Sequence, residues 1–133
     1  KEGGVFDFAS SNPLWRASLD TINFMPLLSA NYSGGIIITD WYSDNSAENE
    51  SIKITIRFLT SEVRSDAIKV TIFRKDCNAE NNCSIYQEDG DLTFQVKKSI
   101  LKKAALYKEE KIKKNRKPYS PGGEGVSGGT TIF

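Results

Sequence analysis

Cys77 and Cys83 frame the heptapeptide CNAENNC. A gap of five residues through a polar loop lets their Cα atoms come within disulfide range. In an oxidising compartment the bond closes a small loop and stabilises it by roughly 2–3 kcal/mol; the other reading is two unpaired thiols. The pair makes a poor metal site, because two cysteines and no histidine fall short of a zinc ligand set. It makes a poor redox site too, because the Cys-x-x-Cys spacing is missing. Histidine is absent from all 133 residues, which removes the commonest general base and the Ser-His-Asp hydrolases with it. The carboxylates Asp40, Glu62 and Asp66 have no spacing that demands a pair, and surface acids are the ordinary expectation. Gly34-Gly35 leads into an apolar run, whereas a phosphate-binding loop must open a helix. We therefore expect no enzyme, no catalytic residues, no cofactor and no metal; an enzyme here would need a site made of carboxylates alone.

Charge is distributed unevenly. Residues 97–117 hold ten of the eighteen Lys and Arg and only two acids, Glu109 and Glu110, while residues 1–96 hold eight basic and fourteen acidic residues. The cations Lys97, Lys98, Lys102, Lys103, Lys111, Lys113 and Lys114 are candidates for contact with an anionic surface, either lipid head groups or nucleic acid. The plainer reading is a solvated helix face. Nucleic acid is disfavoured by the acidic remainder of the chain and by the lack of aromatics among the lysines, where Tyr107 is the only one before Tyr119.

The elements that would position these groups can be read from periodicity. Asn12 and Pro13 start a helix as N-cap and first helical residue. Trp15, Leu19 and Ile22 then form one apolar stripe, Arg16 and Asp20 an exposed pair, and Asn23 a left-handed stop before Pro26. Three strands follow, at 36–42, 52–58 and 67–74. In the second, Ile52, Ile54, Ile56 and Phe58 face in while Lys53, Thr55 and Arg57 face out; in the third, Ile68, Val70 and Ile72 face in while Lys69 and Thr71 face out. Residues 76–91 read as a polar loop. Val96, Ile100, Ala104 and Tyr107 mark one stripe of a second helix near 92–114. The expected fold class is α+β, a two-layer sandwich with an antiparallel meander of three to four strands packed on two helices. Residues 12–115 form its single domain, residues 1–11 a leader or edge strand through Val5–Phe8, and residues 116–133 a Gly/Ser/Pro-rich tail. The longest aliphatic run, Ile36-Ile37-Ile38, is far too short to span a membrane, and the first residues carry no signal-peptide h-region.

Within GGIIITDWYS, residues 34–43, one isoleucine-bearing face must meet the helices. We expect the Ile37 face to do so, with Asp40 in water and Trp41 in the core, which leaves Tyr42 and the loop after it as contact surface. Arg64 and Asp66 read as a structural pair around a tight connection.

The run LWRASLDTINFMPLLSANYSGGIIITDWYS, residues 14–43, resembles the signature of an uncharacterised family of bacterial, mainly alphaproteobacterial, exported lipoproteins, a domain of unknown function. FLTSEVRSDAIKVTIFR, residues 58–74, is similar to that family's second block. The cysteine loop and the Gly-rich tail depart from the pattern, and the lipid-bearing cysteine is not in this chain, as expected if it is trimmed with the signal. The order of elements also resembles the helix-grip domains of BamC, the NlpB lipoprotein of the outer-membrane assembly machinery, at the level of topology. These resemblances imply a periplasmic, outer-membrane-associated lipoprotein in the native form, accessory to outer-membrane assembly or maintenance, and membrane attachment only through the lipid. The expected function is a non-enzymatic interaction module for another envelope protein, using the groove between the two helices or Trp41 and Tyr42. Thr130, Thr131, Ile132 and Phe133 could add as a strand to a neighbour's sheet and form a homo-oligomer, although a disordered tail is the preferred reading.

Overall fold

In the computed structural model, which describes residues 12–43 and 49–115, helix α1 (Pro13–Thr21) leads into strands β1 (Leu27–Asn31), β2 (Ile36–Thr39), β3 (Glu50–Phe58), β4 (Ile68–Cys77) and β5 (Cys83–Glu88), and helix α2 (Asp91–Asn115) follows. The strands form one antiparallel sheet in the order β1-β2-β3-β4-β5, so every neighbour in space is a neighbour in sequence. Both helices lie on one face of it. The fold is the expected α+β sandwich, with five strands in place of three to four.

Helix α1 starts as its sequence dictates. The Asn12 side chain accepts hydrogen bonds from the amides of Leu14 and Trp15 at 3.0 and 3.3 Å, and Pro13 occupies the first turn, where no donor is missed. The helix ends at Ile22, whose dihedrals are −106° and 18°. Asn23 does not take the left-handed conformation expected of it; among the described residues the non-glycine residue with positive φ is Asn81.

The core gathers Leu14, Trp15 and Ala17 of α1, Ile37 of β2, Ile54 and Ile56 of β3, Ile68, Val70 and Ile72 of β4, and Ile100 and Ala104 of α2. This is the period-2 face of the strands meeting the stripes of both helices. Between the helices, the Tyr107 hydroxyl donates to the Asp20 carboxylate at 2.6 Å, and the Arg16 guanidinium lies 3.9 Å above the Tyr107 ring. Asp20 holds the Tyr107 proton, raising its pKa above the usual phenol value. The Ser18 hydroxyl is buried with no hydrogen-bond partner among the described residues.

Both added strands are sheet edges. All five residues of β1 are exposed, as are Cys83–Gln87 of β5, so neither offers the contrast of buried and wet positions by which a strand is recognised. The segment read as a polar loop, 76–91, is therefore the end of β4, a tight turn and β5. In that turn Asn78 Oδ1 accepts from the amides of Glu80 and Asn82, each at 2.9 Å, and Asn81 supplies the positive φ of 65°. The β1–β2 turn uses Gly35 at φ 68°, where an added Cβ would come within 3.3 Å of the Phe58 carbonyl oxygen. Val5–Phe8 and Thr130–Phe133 lie outside the described residues.

Candidate functional site

The Trp41 environment is built by one extra residue in a strand. Along β2, Ile36 pairs with Arg57, Ile37 with Ile56 and Ile38 with Thr55. That register would bring Trp41 opposite Ile52, yet Tyr42 takes the position, exchanging two backbone hydrogen bonds with Ile52 at 2.8 and 2.9 Å. One residue is bulged out between Thr39 and Tyr42, and a one-residue slip moves each later side chain to the opposite face. The bulge is held by specific bonds. The Asp40 amide donates to the Pro26 carbonyl at 2.9 Å, and the Asp40 carboxylate accepts from the Trp41 amide at 2.8 Å. The Ile54 amide, left without a ladder carbonyl, donates to the buried Thr39 hydroxyl at 2.9 Å.

The consequence corrects one expectation. Ile37 does face the core and Asp40 does face water, but Trp41 is carried to the outer face of the sheet. Its ring there lies 4.6 Å from Lys75 Nζ and 5.8 Å from Lys53 Nζ. Cation–π contacts of this kind contribute about 0.5–1 kcal/mol each when exposed, and the lysine stems cover part of the indole. Tyr42 moves inward instead, packing against the core margin and against Phe24 with ring centroids 5.2 Å apart. The two residues nominated as a strand-end pair thus belong to opposite faces.

The lysines of α2 do not gather. With 3.6 residues per turn, Lys98, Lys102 and Lys113 point away from the sheet, Lys97 lies on one flank, and Lys103 and Lys114 lie on the other. Lys97 and Lys103 are half-buried; Lys98, Lys102, Lys111, Lys113 and Lys114 are exposed. The groove expected between the helices is filled by Tyr107, Arg16 and Asp20. A cavity of 580 Å³ lies instead at the helix ends, lined by Pro13, Glu62, Val63, Lys108, Lys111 and Ile112. Arg64 bonds both Asp66 and Glu62 at 2.6 Å beside it, which agrees with a structural role in the β3–β4 loop.

Cys77 and Cys83 are joined by a disulfide and are cross-strand partners, with Cα atoms 3.9 Å apart. The bond closes the β4–β5 hairpin at its tip. At the other end of β5, Glu88 meets Arg74 at 2.5 Å, and that hydrogen bond holds the Glu88 carboxyl below its usual range. Among the described residues no group of three or more His, Cys, Asp or Glu could hold a metal ion, and no helix is long and apolar enough to cross a membrane.

A family model for a domain of unknown function (DUF3576) matches residues 8–109. An uncharacterized protein of Rickettsia prowazekii (strain Madrid E), RP420, is 36% identical over 91 residues, which is 68% of this chain and 54% of the relative. The chain spans about half the length of the curated relative it matches. No solved structure matches it.

Proposed function

Starting from the fact that this chain belongs to the DUF3576 family, a membership that brings no activity with it, we propose that it is a non-enzymatic protein-interaction module of the cell envelope. The observation that carries the reading is the outer face of the sheet. Among the described residues, helices cover only one side of the five strands, and the bulge after Thr39 presents Trp41 on the other, between Lys53 and Lys75. Tryptophan is among the residues that interface hot spots favour. The Cys77–Cys83 disulfide supports an oxidising compartment, hence the periplasm. The resemblance to exported lipoproteins and to the topology of BamC supports an outer-membrane-associated lipoprotein, accessory to outer-membrane assembly or maintenance.

A photo-crosslinking residue at Trp41 in the native protein tests the reading, with the same residue at Lys102 as control. The expected result is a discrete adduct with an envelope protein at Trp41 and none at Lys102. Equal or no adducts at the two positions overturn it. The alternative reading, an anionic-surface binder using α2, is less supported, because its lysines wrap around the helix instead of lining one side.

A further inference from the structure

The strand registers lay out the outer face of the sheet row by row. Arg57 stands directly opposite Lys69, Lys53 opposite Phe73, and Lys75 opposite Ile85. Between the Arg57 row and the Lys53 row runs a row of Ile38, Thr55 and Thr71. No Asp or Glu occupies an outward register position on the five strands, and the exposed carboxylate beside Trp41 is Asp40, in the bulge after β2. None of these four cations has an ion pair among the described residues. Like charges directly opposite across a strand pair destabilise a sheet, so Arg57 and Lys69 are a burden on the free fold that an anion on this face would relieve.

We propose that this face docks an extended acidic segment of a partner protein, in which two carboxylates four residues apart flank an apolar residue. The proposal rests on the interaction-module reading and narrows it to a partner chemistry. Lys53 and Arg57 are four residues apart on β3, about 13 Å. An extended segment laid along β3 points its residues i, i+2 and i+4 at the sheet over the same distance. Its first carboxylate meets Lys53 and Lys75 beside Trp41, its apolar residue lies over Thr55 beside Ile38, and its second carboxylate meets Arg57 and Lys69. Single-stranded nucleic acid is a poorer fit, since base stacking needs bared rings in succession, whereas Trp41 and Phe73 are half-buried and Trp41 lies beneath lysines. A lipid surface is a poorer fit as well. Insertion needs a cluster of protruding apolar side chains, whereas at the outward register positions of the described strands Ile36, Ile38 and Phe73 are half-buried and Ile85, 61% exposed, protrudes.

The test is fluorescence anisotropy of the full chain with a labelled peptide, Thr-Glu-Ser-Ile-Ser-Glu-Thr, against the same peptide with glutamines for glutamates. Parallel arms use an oligothymidine and phosphatidylglycerol vesicles. The acidic peptide is expected to bind about tenfold tighter than its amide counterpart. Lys69→Glu is expected to weaken acidic-peptide binding about fivefold while raising the urea midpoint of the free chain, because it turns repulsion with Arg57 into attraction. Equal binding of the two peptides, tighter binding of oligothymidine or vesicles, or a lowered midpoint in K69E overturns the proposal. If the Trp41 crosslinker captures a partner while the peptides bind alike, the interaction reading stands and the acidic partner falls. If the crosslinker captures nothing while the acidic peptide binds selectively, the chemistry of the face stands and the envelope role falls.

Discussion

Replacing Thr39 by valine probes the bulge on which the Trp41 face depends. Valine keeps the shape of threonine and removes the hydroxyl. Thr39 is wholly buried, and its hydroxyl accepts the Ile54 amide at 2.9 Å, so T39V leaves a buried N–H with no acceptor. The desolvation of such a group costs about 1–3 kcal/mol. Taking about 2 kcal/mol and a urea slope of roughly 2 kcal/mol/M for a small domain, the midpoint falls by about 1 M. Thr39→Ser is the control: it keeps the acceptor and loses one methyl, worth about 0.8 kcal/mol. Urea unfolding followed by tryptophan emission ranks the three proteins, and amide exchange of Ile54 reports the bond itself. Wild type above T39S above T39V, with fast Ile54 exchange in T39V alone, is the expected result. A T39V chain as stable as T39S, with Ile54 still protected, refutes the reasoning, for it means the ladder closes without the side chain and the bulge needs no such clamp.

Removing the disulfide by C77S together with C83S should destabilise the chain by about 2 kcal/mol, as closure of a seven-residue loop implies; urea midpoints under oxidising conditions measure it. Ser18→Ala should leave stability unchanged or raise it by up to about 1 kcal/mol, read from the thermal midpoint, because it deletes a buried hydroxyl that has no partner among the described residues. Gly35→Ala should destabilise the chain by about 1–2 kcal/mol, read as a lowered thermal midpoint, since φ is 68° and the new Cβ meets the Phe58 carbonyl. The Glu88 carboxyl is depressed by Arg74 in the folded chain, so its contribution is present above the unfolded value, near pH 4.3, and lost as pH falls through the folded one. Wild type should therefore lose more stability than E88Q on acidification below about pH 4.3, read from urea midpoints across pH.

What was legible in the sequence follows from which faces are buried. The alternation in 52–58 and 68–72 is sharp because one side of β3 and β4 lies under both helices and the other is wet. Helix α2 was legible for the same reason: Ile100 and Ala104 touch the core and Val96 and Tyr107 pack beside them, while Lys98, Lys102 and Lys113 are exposed on the far side. Edge strands β1 and β5 were not, since Leu27–Asn31 and Cys83–Gln87 are exposed on every residue. The position of Trp41 was not either. Period-2 reasoning is right up to Thr39, and a single bulged residue then inverts it; the only local sign is Asp40, a residue uncommon inside strands and able to accept a neighbouring amide. Alternation places Lys53, Arg57 and Lys69 outward, as the strand pairings do, but alternation within one strand says nothing of register between two. That Arg57 and Lys69 stand opposite each other emerges only from pairing.

The groove at the helix ends has a consequence for how force crosses the domain. Pro13 and Asn115 both line it, so the described chain enters and leaves side by side. Tension applied through the flanking segments would pull α1 and α2 apart from one end, like a zipper, instead of sliding them past each other. The contacts of Arg16 with Glu110 and with Tyr107 lie nearest that end and yield first, and the Asp20–Tyr107 bond follows. Contacts broken one at a time resist far less than contacts loaded together. Under load the helical layer would peel away while the meander, whose pairings are all local hairpins, remained paired.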